Sequence, residues 1–421
     1  MSKVIFFCSP TFGHINPTLP LVKELVSRGE EVLYYNSENF RGKIERKGAF
    51  FRLNLYFKED YNNRGKIYRG PEDAKCTFED ISGIIYTRLD YSVQMFQNII
   101  KEIEKEMPDY IIYDCGLYWG KLVAKRLGIP AISSIPYFAY CDKIVNIAPG
   151  FVIKDIFWLR DDYLIDKTST IERLTELSKS LESLFDLEDF NCIDVLECRE
   201  KLNIVYTSRY FQPYSECFDE DFKFVGPSIC QENEVVSFPV DKLKRKPLIY
   251  ISLGSRFVES LRKYHIDFYK TCFEAFDSSD NQVILVIGGT NKAALGRIPD
   301  NFIVEPFVPQ LEILQHTDLF ITHGGMNSVC EGFYFNVPLM VIPQMSDQFV
   351  VAKRVEEIGA GIYIRYAEVN PGELRKAAEK VLSDGSFKQK VKKISDSFRS
   401  AGGYKRAVDE IFLFKEKYGI H

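Results

Sequence analysis

Two histidines in this chain of 421 residues stand where an imidazole can do chemistry. His14 lies in Gly13-His14-Ile15-Asn16-Pro17, shortly after the apolar run Val4–Cys8. His323 opens His323-Gly324-Gly325, directly after the apolar run Leu319–Thr322. In both places a strand-like segment empties into a glycine-containing loop, and a helical pattern follows. Unpaired N–H groups and the helix dipole then face the loop, which favours a bound anion. The same positive terminus lowers the pKa of a nearby histidine and favours its neutral, basic form, as expected for His14.

Each of these signals also has an ordinary structural reading. Ser328-Val329-Cys330-Glu331 fits S-x-x-E, a capping box for a helix starting near Asn327 or Ser328. Read for function, Ser328 and the helix N–H groups hold a phosphate, and Glu331 accepts hydrogen bonds from ribose hydroxyls one turn further on. His323 is either a packed loop residue or a donor to a phosphate oxygen. Asp347 precedes a helical pattern and serves as an N-cap in the simpler reading. His14 either satisfies loop carbonyls or faces a ligand, and Asp114, ending IIYD, caps the following helix in the simpler reading.

The elements that must position these residues follow βαβ alternation, so a mostly parallel sheet with right-handed crossovers is expected. VIFFC (4–8), EVLYYN (31–36), FFRLN (50–54), Tyr110–Tyr113 and Ala131–Ser134 read as strands, as does NIVYTS (203–208). Asn16-Pro17 suits the start of a helix that Gly29 closes. From about 55 to 100 and 137 to 190 the pattern loosens and aromatic residues recur, with one helix near 170–184. A second series begins at PLIYISLGS and continues through QVILVIGG, FIVEPF, LFITH, LMVIP and GIYI to three closing helices in 371–419. The expected fold is α/β, with two doubly wound, Rossmann-like domains facing a central cleft. Their bounds are 1–215, a linker at 216–246, 247–403, and a C-terminal helix at 404–421 that packs back on the first domain. Ligands of such sheets bind at the carboxyl ends of the strands.

Composition narrows the function. A net charge of −5 with no basic stripe speaks against nucleic-acid binding. No apolar run approaches the roughly 20 residues of a membrane span, and the start, MSKVIFFCSP, does not read as a signal peptide. Ten cysteines without a C-x-x-C pair suggest small core hydrophobes in a reducing compartment. A cytoplasmic location is expected.

Taken jointly, Phe307-Val308-Pro309-Gln310, His323-Gly324-Gly325, Asn327-Ser328, Glu331, Pro338, Pro343 and Asp347-Gln348 resemble the nucleotide-sugar signature of family-one glycosyltransferases. The bacterial macrolide-type branch is the most similar, because Met326 stands where plant enzymes have tryptophan. The resemblance implies GT-B architecture and inverting, metal-independent transfer of a sugar, glucose by the presence of Gln348. The donor would be a UDP-sugar, as co-substrate and with no other cofactor, and the acceptor a hydroxyl of a small, largely apolar or aromatic molecule. Phe307 matches the ring that stacks on uracil, with Val308 beside it, and Gln310 the glutamine of the same base-and-ribose loop. His323, Gly325, Asn327 and Ser328 match the diphosphate contacts, Glu331 the ribose contact, and Asp347 and Gln348 the pair on the sugar hydroxyls. Ser255 matches a diphosphate contact from the opposite side. His14 resembles the family's general base, and Asp114 the aspartate that holds its other nitrogen.

Other motifs fall short. DCGLYWGKL has the wrong glycine spacing for a phosphate loop, and no G-x-G-x-x-G is present. Asp219-Glu220-Asp221 mimics a D-x-D metal motif but reads as a solvated acidic turn, so no metal is expected. Two alternatives share the architecture: a UDP-sugar epimerase or hydrolase, and a non-catalytic nucleotide-sugar-binding protein. The pairing of His14 with Asp114 argues against the latter.

Overall fold

The computed structural model describes residues 2–54, 76–230, 238, 243, 247–254, 262–277, 279–345 and 347–421. They form two compact units, one of residues up to Ser228 together with Ala401–His421, the other of Ile229–Ser400. Ser255 lies outside the described residues, as do Tyr56, Phe57, Tyr61 and Tyr68 of the first aromatic stretch.

The first unit is built on seven strands: β1 (Lys3–Phe7), β2 (Glu31–Asn36), β3 (Phe50–Leu53), β4 (Tyr110–Asp114), β5 (Ala131–Ile135), β6 (Asn203–Val205) and β7 (Phe222–Phe224). Their order is β3-β2-β1-β4-β5-β6-β7, and every pairing is parallel. Successive side chains of a strand point to opposite faces. Val4 and Phe6 therefore enter one core with Ala407, Val408 and Ile411, while Ile5 and Phe7 enter another with Ile85, Leu89 and Ile99. Burial on both faces explains why β1 reads as a continuous apolar run.

The helix Gly403–Lys417 belongs to this first unit and lies against the helix Phe12–Ser27. A buried ion pair between Lys415 and Glu30 holds it, and the Tyr110 hydroxyl donates to the other Glu30 oxygen at 2.7 Å. Arg28 and Asp409 add a partly exposed pair at 2.6 Å.

Three sequence expectations change here. The helix after β1 begins at Phe12, not at Asn16, and carries Pro17 and Pro20 inside it. Each proline removes a ladder donor, but Ile15, Leu19, Leu21, Val22 and Leu25 of this helix are buried, and that burial outweighs the loss. Residues 78–106, read as irregular, form one helix of 29 residues. Thr77 and Asp80 close a capping box at its start, and Phe78, Ile81, Ile85, Leu89, Met95, Ile99 and Ile103 bury one stripe. Phe222–Phe224, inside the stretch read as a linker, is β7 on the sheet edge; three residues are too few to show a strand period.

The second unit repeats the plan with β8 (Leu248–Ser252), β9 (Gln282–Val286), β10 (Phe302–Glu305), β11 (Leu319–Thr322), β12 (Leu339–Val341) and β13 (Gly361–Tyr363). The order is β10-β9-β8-β11-β12-β13, again all parallel. The helices Arg262–Phe276 and Pro371–Ser383 cover one face, where Phe268, Cys272, Leu374 and Val381 meet Ile249 and Ile251. All ten cysteines are free and nine are buried. Among the described residues no helix is long and apolar enough to cross a membrane.

One buried carboxyl of the first unit stands out. Glu197 is buried, one oxygen accepts the Tyr140 N–H at 2.8 Å, and the other has no partner among the described residues. Burial pushes its pKa well above the carboxylate range, opposed only by the Tyr140 N–H. The stability it contributes is thus present below the unfolded pKa, roughly 4.3, and is lost as pH rises toward the raised value. Glu197→Gln removes this titration while keeping an oxygen for Tyr140. Its melting temperature should exceed that of the parent by a margin that grows by several degrees from pH 5 to pH 8. Parallel melting curves across that range would refute the assignment.

Candidate active site

In the first sheet the chain reverses direction between β1 and β4, because β2 and β3 lie on one side of β1 and β5 to β7 beyond β4. Phe7 pairs with Tyr113, so the loops after them leave side by side. This switch point is where an open parallel sheet presents its crevice. His14 comes from the first of these loops, in the first turn of the helix Phe12–Ser27, with its N–H bonded to the Thr11 carbonyl at 3.1 Å. Asp114 is the last residue of β4 and is buried.

The two side chains meet: His14 Nδ1 and Asp114 Oδ2 share a short hydrogen bond. The other Asp114 oxygen accepts the Gly116 N–H at 3.1 Å, which fixes the carboxylate plane. Asp114 therefore does bond a backbone N–H, and it holds the imidazole as well. A carboxylate on Nδ1 places the proton there and makes Nε2 the basic nitrogen. Tyr137, in the loop after β5, lies edge-on to the His14 ring with centroids 5.9 Å apart.

The second sheet has its own switch point between β8 and β11, where Ser252 pairs with Thr322. Leu253-Gly254 and His323-Gly324-Gly325 leave together from this edge. The His323 ring is wedged between two glycines: a Cβ on Gly254 would lie 2.7 Å from its Cε1, and one on Gly325 2.6 Å from its Nε2. No other residue type fits at either position without moving the ring. Loss of solvation, and secondly the neighbouring His265, push the His323 pKa down to about 4. At neutral pH it is an uncharged donor rather than a cation.

The helix after His323 runs Met326–Tyr334 with Gly325 as its N-cap, one or two residues earlier than the sequence suggests. Its first ladder bond is Val329 N–H to the Gly325 carbonyl. The N–H groups of Met326, Asn327 and Ser328 precede that bond at the positive end of the dipole. Ser328 is thus the third helical residue and no side chain caps the terminus, so the capping-box reading of Ser328 and Glu331 is incorrect. Glu331 instead accepts a short hydrogen bond from Gln310 Nε2.

Around this terminus, Val308 is buried and anchors the loop after β10, while Phe307 beside it is 57% exposed. Asp347 precedes the helix Gln348–Ile358, and the N-cap reading fails in detail because its side chain makes no cap bond. The loop is held by Gln348, whose Oε1 accepts the N–H groups of Gln344 at 2.9 Å and Met345 at 3.1 Å. Sequence reasoning passed over Gly254, visible only as one glycine among 26.

Comparisons with known proteins identify the family and the fold. Residues 270–405 match the family model for the erythromycin biosynthesis protein CIII-like C-terminal domain. The uncharacterized UDP-glucosyltransferase YojK of Bacillus subtilis is 36% identical over 98% of this chain and 97% of its own length. This chain is a family-one glycosyltransferase of the bacterial macrolide-type branch. Demethyllactenocin mycarosyltransferase of Streptomyces fradiae is 29% identical over 98% of the chain and 86% of its own length. The crystal structure of CalG4, the calicheamicin glycosyltransferase, superposes with a TM-score of 0.76 at 24% identity, covering 99% of this chain and 98% of that one, which establishes the GT-B fold. As a member of this family, the enzyme transfers a sugar from a nucleotide sugar.

In this glycosyltransferase, Asp219-Glu220-Asp221 is engaged in ion pairs: Arg199 bonds Asp219 at 2.8 Å and Asp221 at 3.0 Å. The triplet follows a tight loop into β7 and is tied down by a cation of its own. For the His323 wedge, Gly325→Ala is the clean probe, because Gly325 has an ordinary φ of −59° and only sterics change. Overpacking of this kind costs about 1–3 kcal/mol, so the melting temperature should fall by several degrees. Adding His323→Ala should recover part of that loss; a strictly additive pair would contradict the wedge.

Proposed function

We propose that the enzyme takes glucose from UDP-glucose and transfers it, with inversion at the anomeric carbon, to a hydroxyl of a small and largely apolar acceptor. The single observation that carries the mechanism is the bond between His14 Nδ1 and the buried Asp114 at a sheet switch point. In this reading His14 Nε2 takes the acceptor proton while the acceptor oxygen attacks the anomeric carbon. The bond from that carbon to the diphosphate breaks, and UDP leaves with the electron pair. Asp114 holds the imidazole in the required tautomer and stabilises the imidazolium that forms.

Developing charge on the diphosphate would be met by the N–H groups of Met326, Asn327 and Ser328, the Ser328 hydroxyl and the neutral His323, with Ser255 as a further contact. Phe307, exposed beside the buried Val308, would stack on the base. Glu331 would accept from the ribose hydroxyls, and Asp347 with Gln348 would bond the sugar. The glucose and UDP assignment follows the description of the relative YojK as an uncharacterized UDP-glucosyltransferase. An apolar acceptor is supported by the row of rings that starts at Tyr137 beside His14 and continues through Tyr140, Phe151 and Tyr214.

Replacing His14 by alanine should reduce transfer from UDP-glucose to a panel of phenolic and macrolide aglycones by roughly 10²–10⁴-fold. UDP affinity, measured by calorimetry, should stay within about twofold. Near-normal turnover would remove His14 from the role of base. Fixed protein donors serve the diphosphate in this scheme and the acidic triplet is ion-paired, so dialysis against EDTA should leave turnover unchanged. Loss of activity restored by a divalent cation would show that a metal takes part.

A further inference from the structure

A hydrogen-bond relay runs from the interior of the second unit to Glu331. Tyr250, buried in β8, is stacked on Phe320 of β11 with centroids 4.8 Å apart and ring planes 20° from parallel. Its hydroxyl lies 2.9 Å from Gln310 Oε1, and Gln310 Nε2 reaches Glu331. The direction of the relay follows from chemistry. A carboxylate oxygen accepts and does not donate, so Gln310 must turn its amide nitrogen to Glu331 and its oxygen to Tyr250. Tyr250 must then be the donor. The tyrosine ring is locked by packing between two central strands, so its hydroxyl is a fixed reference point in an otherwise adjustable set.

The two residues it connects need such a reference. Gln310 opens a helix of only five residues, Gln310–Leu314, after a loop, and Glu331 lies more than a turn into the helix Met326–Tyr334. Both side chains are only partly buried and have several rotamers open to them. A glutamine amide can also flip and present either end. With Tyr250 donating, only one orientation satisfies all three groups.

We infer that Tyr250 is a positioning residue for the nucleotide: it sets the amide of Gln310, and Gln310 in turn holds the Glu331 carboxylate in the orientation that reads the ribose hydroxyls. This rests on the proposed ribose contact of Glu331 and deepens it. Gln310 is thereby a support for Glu331 rather than a separate contact to the base. Selectivity for a ribonucleotide over its 2′-deoxy counterpart then depends on a hydroxyl that never touches the ligand.

The test is a set of UDP and 2′-deoxy-UDP titrations on the full chain by calorimetry. Tyr250→Phe removes one hydroxyl and keeps the stack on Phe320. It should weaken UDP by roughly three- to tenfold, the worth of one hydrogen bond, and weaken 2′-deoxy-UDP by less than about twofold. In transfer assays the KM for UDP-glucose should rise by a similar factor with kcat nearly unchanged. Gln310→Met cuts the relay at its partly buried middle, should act in the same way, and serves if Tyr250→Phe folds poorly. In a Glu331→Ala background neither change should weaken UDP further. If Glu331→Ala loses affinity while Tyr250→Phe and Gln310→Met bind UDP like the parent, or if their effects simply add to it, the relay is refuted and the ribose contact stands. If Glu331→Ala itself binds UDP normally, both fall.

Discussion

Parallel pairing is the constraint on which this molecule depends. Neighbouring parallel strands cannot be joined by a hairpin, so every connection crosses a face of the sheet. When the chain has built outward on one side of its first strand and returns to build on the other, two adjacent loops leave the same edge in opposite directions. The crevice between them is a consequence of topology and needs no special residues. Each unit has one, between β1 and β4 in the first and between β8 and β11 in the second. A histidine stands at each.

The two histidines are treated differently by their surroundings. His14 has a buried carboxylate on one ring nitrogen, the arrangement of a base that must carry a positive charge for a moment. Among the described residues no carboxylate supports His323: it is squeezed between Gly254 and Gly325 and its pKa is pushed down to about 4. A neutral imidazole beside a helix terminus suits recognition of an anion by directed N–H groups, with the dipole supplying the field. In the proposed mechanism the same residue type therefore serves two kinds of chemistry, and the neighbours decide which.

Around these points the side chains that hold others are as informative as those expected to touch a ligand. Gln348 uses its oxygen to staple the loop of Gln344 and Met345, and Gln310 spends its amide on Tyr250 and Glu331. In the first unit, Glu30 receives Lys415 and Tyr110 together, and so ties the end of the chain to its beginning. Each bond removes a rotational freedom that a binding site would otherwise have to freeze when ligand arrives.

Much of this was legible before folding was considered. Apolar runs of four to six residues separated by helical periods specify a doubly wound parallel fold, because strands buried on both faces cannot alternate. The short motifs around His14 and His323 and the run Phe307 to Gln348 each have an ordinary structural reading, and only taken jointly, through their resemblance to family-one glycosyltransferases, do they point to a candidate site. Less legible were elements whose signal is diffuse or short: the helix Phe78–Glu106, masked by its aromatic and charged surface, and β7, only three residues long. What tertiary structure alone decided were the partners. S-x-x-E is as good a capping box on paper as any, but the helix begins at Met326, which puts Ser328 in its third position and turns Glu331 toward Gln310. The register of a helix start is set by what its first turn packs against, and Gln310, which bonds Glu331, and Gly254, on one side of the His323 ring, come from other elements of the fold. Local patterning determines which elements form and where their loops gather; which side chain meets which is settled only when each sheet brings its own loops together.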